Sequence, residues 1–388
     1  MVSGTSDSRI RSIDAFRGYA ILNVIFFNAL DGVPKIPGWM QHAPEGSNHM
    51  TYVDIGVPSF LFIVGMAIPL ALKARQQRGR SRWSIWRHIL LRSLALIVMG
   101  SWMVFKIDDF DPVRVGISQS VWGLWMYLGY FLLWYWHPVI SVGRLRLNTA
   151  LRVAGALLLA WLAFRYHHGM QTDTLLPGWW GILGIIGWSY LLGCILYTMA
   201  GRYIGLVLLA GVALLPAWYA WLGSDFGVTL NTVLVLAGAF VSHRLFLHPP
   251  AGESTGRKIL WVLAAIPLCW LIGRVYERFG GISKILNTPA FVMYGLASAL
   301  LIFLVFFVVV DGLRFRRVVG IFMPAARFPL TAYLLSELVY DAGNVVGLWP
   351  HLERFSEGMA AILCSSVITA ILTLVIFGLS RLNLHLDL

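Results

Sequence analysis

Polar side chains that could carry chemistry are concentrated in one stretch, PGWMQHAPEGSNHMTYVDIGVPSF, which runs from Pro37 to Phe60. It contains His42, His49 and Asp54. A neutral imidazole, with an unperturbed pKa of about 6.5, can accept a proton near neutral pH. Asp54 is a candidate to orient a histidine by bonding one ring nitrogen, and alternatively to stabilise the start of a helix through its dipole. The stretch is therefore a candidate site of proton transfer, and either histidine could serve.

The sequence on either side of this stretch is apolar. Of the 388 residues, 58% are hydrophobic and 12% are charged, whereas soluble domains contain about 25% charged residues. Because about 20 apolar residues span a bilayer as a helix, the pattern predicts an all-α polytopic membrane protein. We expect one transmembrane domain over residues 1–388, a bundle of about 12 (10–12) helices. The predicted spans are 15–33, 53–73, 87–105, 117–136, 149–165, 179–199, 203–222, 229–247, 258–274, 289–310, 322–341 and 358–379.

The distribution of positive charge predicts the topology. With the N-terminus in the cytoplasm, 22 of the 30 Lys and Arg residues fall on the inner side and 8 on the outer side. Both termini are then cytoplasmic, and the loop containing His42 is extracytoplasmic. The net charge of +12 follows from this asymmetry, so it does not indicate a nucleic-acid partner.

Ionisable groups within the predicted spans need partners, because an unpaired charge in a bilayer is costly. Asp14 and Arg17 are three residues apart and can pair on one helix face, although Arg17 could instead contact a phosphate. Asn28, near the outer end of the first span, could hold helices together or face the polar loop. Glu337 and Asp341 are four residues apart on one face, so a partner or water must lie between them.

Other sequence features exclude several classes of site. Phosphate-binding, metalloprotease and serine-hydrolase motifs are missing from the sequence. The three cysteines, Cys194, Cys269 and Cys364, are far apart in apolar runs, which argues against a disulfide framework or a metal cluster. The strongest basic run, KARQQRGRSRWSIWR (73–87), indicates a topology anchor or a binding place for an anionic cofactor.

Several segments together resemble a known family. RIRSIDAFRGYAILNVIFFNALDG (9–32), WMQHAP (39–44) and YVDIGVPSFLFIVGMAI (52–68) carry the most specific part of the resemblance. It continues through residues 86–100, 113–120, 177–193 and 284–312 and ends with AARFPLTAYLLSEL (325–338). The sequence resembles the transmembrane acyltransferases typified by heparan-α-glucosaminide N-acetyltransferase, together with their bacterial relatives.

The resemblance implies a reaction and roles for residues. That family moves the acetyl group of cytosolic acetyl-CoA to an amino sugar across the membrane. The active-site histidine of the family falls on His42, with Asn28 and Asp54 at its asparagine and aspartate positions. His42 would act as the base or as a transient acetyl carrier, Asp54 would fix its tautomer, and the Asn28 amide would stabilise the thioester oxygen.

The resemblance also implies where the co-substrate binds. Arg17 matches a family arginine, and we expect Arg17, Arg92 and Arg327 to hold the phosphates of acetyl-CoA near the inner face, since guanidinium groups suit phosphate. The expected partners are acetyl-CoA, an amino sugar or related saccharide acceptor and membrane lipid. Neither a metal nor nucleic acid is expected, and a homodimer is left open. The bacterial inner membrane is the expected location, with the His42 loop in the periplasm.

Two other classes of protein remain as alternatives. One is a transporter of amino sugars or other small solutes, although the sequence lacks the clear internal repeats that many transporters show. The other is a member of the acyltransferase family that supports envelope assembly without catalysis. A channel connecting His42 to the inner surface would favour the enzyme.

Overall fold

A computed structural model describes residues 10–107, 110–135, 142–170, 179–223, 227–315, 317–352, 355–381 and 386. Thirteen helices of more than ten residues lie within these ranges. In chain order they are α1 Arg11–Asn28, α2 Gly56–Gln77, α3 Arg82–Ile107, α4 Gln119–Trp134, α5 Val142–Met170, α6 Gly181–Ala200, α7 Ile204–Leu222, α8 Gly227–Ser242, α9 Thr255–Tyr276, α10 Pro289–Phe306, α11 Arg317–Arg327, α12 Pro329–Val345 and α13 Gly358–Arg381.

The all-helical membrane class predicted from composition agrees with this architecture. Each of the twelve predicted spans overlaps a helix, and the eleventh is divided between α11 and α12. By length and hydropathy, eight helices in the described ranges could cross a membrane, or nine if the bent α11–α12 pair is one span. The number is smaller than twelve partly because α6 and α7 form one 42-residue apolar segment and α4 has only 16 residues. The exact number of crossings and the side of each terminus stay predictions.

Small residues allow the central helices to pack closely. The most extensive contact joins α2 to α8, where Gly65 and Gly238 lie against the backbone of the other helix. A Cβ atom on Gly65 would collide with the Val235 carbonyl, and one on Gly238 would collide with the Phe62 carbonyl. Close backbone approach of this kind is how membrane helices gain packing energy when lipid removes the hydrophobic drive. α2 is thereby fixed in the middle of the bundle.

Two consecutive helices, α11 and α12, form a sharp bend beside α1. α11 and α12 meet at an angle of 81° around Phe328. Pro329 opens α12, where its missing N–H costs no helical hydrogen bond. The break places Arg327 at the end of one helix and Leu330 at the start of the next, and both side chains line the cavity described below.

Candidate active site

A cavity of about 370 Å³ runs along one side of α2. The α2 residues that line it are spaced three or four positions apart from Val57 to Arg75, which is the spacing of side chains on one face of a helix. At 1.5 Å per residue this face is roughly 30 Å long, close to the thickness of the hydrocarbon core of a bilayer. The other walls come from α1, α3, α6 and the α11–α12 break. The cavity therefore connects the two ends of the bundle.

All six residues that the sequence analysis assigned to the site line this cavity. His42, Asp54 and Asn28 lie at the end that the predicted topology places outside, and Arg17, Arg92 and Arg327 line the rest of it. His49, the alternative histidine, is exposed and is not among the lining residues. This geometry favours His42 over His49.

His42 and Asp54 form a hydrogen-bonded pair. His42 Nδ1 lies 2.8 Å from Asp54 Oδ1. An ionised carboxylate can only accept, so Nδ1 is the donor in this bond, and in the neutral imidazole Nε2 then has the lone pair. The Asp54 side chain is inaccessible to solvent, whereas the His42 side chain is 34% exposed. A buried carboxylate thus holds an accessible imidazole in the tautomer that can accept a proton at Nε2.

Local backbone geometry fixes Asp54. Its Oδ2 atom accepts hydrogen bonds from the backbone N–H groups of Ala43 and Thr51, at 3.2 and 2.9 Å, and from the Thr51 hydroxyl at 3.1 Å. The short helical turn Val53–Ile55 places the aspartate where the loop enters α2. Several donors compensate for burying the charge, since an unsatisfied buried carboxylate would be costly. Each of these donors lies in the loop that carries His42, which ties the loop conformation to the carboxylate.

Lys284, in the loop between α9 and α10, was missed by the sequence analysis. Its Nζ atom lies 2.9 Å from His42 Nδ1, 3.4 Å from His42 Nε2 and 3.6 Å from Asp54 Oδ1. Burial lowers the pKa of the Lys284 ammonium, and the nearby Asp54 and Asp31 carboxylates oppose this effect. The site is therefore a cluster of imidazole, carboxylate and amine.

Two loops are joined to bring these groups together. We call residues 29–52 the first loop and residues 277–288 the lysine loop. The Asn48 side-chain carbonyl in the first loop accepts a 2.7 Å hydrogen bond from Ile282 N–H in the lysine loop. Within the lysine loop, the Thr288 hydroxyl accepts a bond from Ser283 N–H at 3.1 Å. Asn48 thus joins the loop that carries His42 to the loop that carries Lys284.

Asn28 contacts a polar cluster on α12. Its Nδ2 atom donates to Glu337 Oε1 at 3.4 Å. One turn further on, Asp341 is buried and accepts a 2.6 Å bond from Lys106 of α3. Of the two possibilities that the carboxylate spacing left open, a partner or water, the structure shows a partner, Lys106, for Asp341. The α12 carboxylates are thus linked to α1 and α3, and the Asn28 amide is held at the cavity wall.

The opposite end of the cavity is basic and aromatic. Arg75 Nη2 lies 2.6 Å from His88 Nε2, and the arginine must be the donor because guanidinium cannot accept. Arg92 packs over the ring of Tyr190, with 5.3 Å from Cζ to the ring centroid. Its buried Nε atom has no hydrogen-bond partner among the described residues. Arg75 and Arg92 lie 33 and 50 residues from His42 in sequence, but they share its cavity.

The other two predicted arginines differ in their surroundings. Arg17 forms the predicted pair with Asp14, with 3.0 Å between Nη1 and Oδ1. Arg327 lines the cavity at the end of α11. Arg17 thus shares its charge with a carboxylate, whereas Arg75 bonds a neutral imidazole acceptor. Within the described residues, His, Cys, Asp and Glu side chains form no cluster of three or more suited to a metal ion.

Comparisons with known proteins agree with the resemblance noted from the sequence. A family model described as a domain of unknown function, DUF5009, matches residues 9–176. Heparan-alpha-glucosaminide N-acetyltransferase of Mus musculus is 28% identical over 141 residues, which cover 35% of this chain and 21% of the mouse protein. The Homo sapiens protein of the same name is 31% identical over 119 residues, covering 29% of this chain and 17% of that protein.

The matches establish that the chain resembles this acetyltransferase family, as predicted. The alignments span about a fifth of the length of the two curated relatives. The DUF5009 match includes His42, Asn28, Asp54 and Arg92. Lys284 and Arg327 lie beyond it, so their place in the site rests on the structure of this chain.

Proposed function

We propose that this protein is a transmembrane acetyltransferase that moves the acetyl group of cytosolic acetyl-CoA to the amine of an amino sugar or related saccharide. The observation that carries the proposal is the single cavity lined by His42, Asp54 and Lys284 at one end and by Arg75, His88 and Arg92 at the other. A co-substrate with an anionic nucleotide and a long arm matches a cavity with cations at one end and a base at the other. The resemblance to an N-acetyltransferase gives the same reaction class.

The base in this scheme is His42. Its Nδ1–H is directed to Asp54, so the Nε2 lone pair takes the proton of the attacking amine. Asp54 also stabilises the imidazolium that forms, and its own bonds to Ala43 and Thr51 keep it in place. The acetyl group leaves the CoA sulfur and becomes bonded to the amine nitrogen. The second route, in which Nε2 carries the acetyl group first, uses the same tautomer.

Asn28 is assigned to the developing negative charge on the thioester oxygen. Its amide N–H₂ lines the cavity and is oriented by Glu337. A fixed amide donor can stabilise an oxyanion without having to reorganise during the reaction. The contact with Glu337 leaves the second amide hydrogen for the substrate.

Acetyl-CoA phosphates are assigned to the basic end. The buried Nε–H of Arg92 has no partner within the described ranges, and Arg75 has further guanidinium donors beyond its bond to His88. Arg75 and His88 extend the set predicted from sequence, which contained Arg17, Arg92 and Arg327. Arg17 is the weakest phosphate ligand of the set because Asp14 already neutralises it.

The proposed orientation puts the His42 loop in the periplasm of a bacterial inner membrane, with both termini in the cytoplasm. It follows from the 22-to-8 distribution of Lys and Arg. Acetyl-CoA then enters from the cytoplasm, and the acceptor meets the acetyl group on the far side. A saccharide acceptor thus needs no passage through the bundle.

Sealed vesicles provide the direct test. Vesicles with labelled acetyl-CoA on the cytoplasmic side and glucosamine on the other side should release acetylated sugar on the outer side. His42→Ala should abolish this product, and His49→Ala, at an exposed position of the same loop, should not. Movement of unmodified sugar that is insensitive to His42→Ala would instead identify a transporter. An acetyl group trapped on His42 and removed by hydroxylamine would select the carrier route over direct transfer.

A further inference from the structure

The position of Lys284 suggests a role beyond charge compensation. In any transfer from a thioester to an amine, the attacking nitrogen must come within hydrogen-bond reach of His42 Nε2. Lys284 Nζ lies 3.4 Å from that atom and 2.9 Å from Nδ1. The lysine amine therefore lies beside the imidazole ring, nearer to Nδ1 than to Nε2, and a movement of its side chain would bring it to the place of the acceptor nitrogen.

The lysine is held there by its loop and can still move. Asn48 ties the lysine loop to the first loop through the Ile282 backbone. The Lys284 side chain itself is 32% exposed and ends on a flexible four-carbon stem. Small movements of that stem can take Nζ from the ring edge towards a thioester in the cavity. An incoming acceptor can displace it in the same way.

The surroundings of Lys284 also favour its nucleophilic form. Burial lowers the pKa of the ammonium, so the neutral amine is more populated than in an exposed lysine. Asp54 and Asp31 act in the opposite direction, and among the described residues the His42 imidazole is the other titratable group in contact with Nζ. A neutral lysine amine beside a base is the arrangement that activates lysine as a nucleophile.

We infer that Lys284 is a self-acetylation site, which takes the acetyl group from bound acetyl-CoA when no acceptor occupies the cavity. This inference rests on the proposed function. The Nζ lone pair attacks the thioester carbonyl carbon, a carbon–nitrogen bond forms, and the carbon–sulfur bond breaks. The proton from Nζ passes to His42 Nε2 and then to the departing thiolate, which leaves as CoA. The product is a neutral amide at Lys284.

Acetylation at this position blocks the site. An amide cannot be protonated, so Lys284 loses its attraction to Asp54, and the added acetyl group fills the place of the acceptor nitrogen. The protein should therefore lose transferase activity when incubated with acetyl-CoA alone. Amino sugar present during the incubation should protect it, because the acceptor then takes the acetyl group.

The experiment uses purified full-length protein in detergent with acetyl-CoA and no acceptor, followed by peptide mass spectrometry. Lys35 is the matched control, since it lies in the first loop at the same end of the bundle and its side chain is 73% exposed. Because a positioned base contributes on the order of 10² to 10⁴ in rate, Lys284 should be acetylated at least about 100-fold faster than Lys35. The modification should resist hydroxylamine, and His42→Ala should reduce it to the Lys35 rate.

Inactivation gives a second readout. After incubation with acetyl-CoA, wild-type protein should retain little of its initial activity, and Lys284→Arg should keep its own initial level. Acetylation of Lys284 at the Lys35 rate, or unchanged in His42→Ala, would overturn the inference. If the protein transfers acetyl groups to glucosamine normally but Lys284 is never acetylated, the self-acetylation inference is wrong and the proposed function still holds. Absence of both acetyl-CoA binding and transfer would overturn both.

Discussion

The two ends of the cavity are built differently. At the His42 end, two loops supply the imidazole and the amine, Asn28 comes from the end of α1, and backbone donors and side chains bond the loop groups closely. At the Arg92 end, regular helices supply the groups, the neighbours are aromatic, and a guanidinium nitrogen has no hydrogen-bond partner in the part of the chain that the structure describes. A closely bonded cluster of imidazole, carboxylate and amine suits proton transfer, and cations with donors to spare suit anion binding. The contrast predicts that the first end controls turnover and the second controls affinity for acetyl-CoA.

Replacing His42 should have the largest effect. We expect His42→Ala to lower kcat by on the order of 10² to 10⁴, because the proposed general base is lost, with the Kd for acetyl-CoA little changed. Steady-state transfer to glucosamine and direct binding of acetyl-CoA check the two parts. His49→Ala is the control, since that side chain is exposed and lies outside the cavity. Loss of activity in His49→Ala with His42→Ala active would reverse the assignment of the base.

Asn28→Ala should follow in size. Removing one donor to a developing oxyanion typically costs about 10²- to 10³-fold in kcat. Asn23→Ala is the matched control, because Asn23 also lines the cavity on α1 but donates to Tyr52 at 3.3 Å. The effect should fall on kcat and leave KM for acetyl-CoA nearly unchanged. A loss that appeared mainly as weaker acetyl-CoA binding would place Asn28 with the anion-binding end.

At the basic end, Arg92→Ala should raise KM for acetyl-CoA by roughly 10- to 100-fold, because a charge-assisted hydrogen bond contributes about 1.5 to 3 kcal/mol. The value of kcat should change much less. Arg87→Ala is the control, since Arg87 is on the same helix, α3, but is exposed and outside the cavity. Arg75→Ala should resemble Arg92→Ala. Equal effects of Arg87→Ala and Arg92→Ala would mean that general positive charge, rather than this cavity, attracts the nucleotide.

Much of this contrast could be predicted from the sequence, for physical reasons. The His42 loop could be identified because it concentrates polar residues between apolar spans. The long apolar runs predicted the helical membrane class. Glu337 and Asp341 likewise signalled a missing partner, which the structure identifies as Lys106. In each case the signal was a local conflict between polarity and burial.

The remainder depends on contacts that are distant in sequence. Lys284 is 242 residues from His42, and its own neighbours resemble an ordinary exposed loop. Arg75 belongs to a basic run whose simplest interpretation is a topology anchor, and its role becomes visible when its side chain is seen to share a cavity with Asp54. The 81° break at Phe328 also follows from packing, since a proline can open a helix as readily as kink one.

The smallest predicted effect tests whether the two loops work as a unit. Asn48→Ala removes the acceptor for Ile282 N–H and should cost about 1 kcal/mol of loop docking, or roughly fivefold in the rates that depend on Lys284. Self-acetylation of Lys284, measured by peptide mass spectrometry, should fall by this factor, whereas KM for acetyl-CoA should stay constant. Ser47→Ala is the control because the Ser47 hydroxyl bonds Pro44 within the first loop and does not join the two loops. If Ser47→Ala slowed self-acetylation as much as Asn48→Ala, the internal order of the first loop, and not its contact with the lysine loop, would control Lys284.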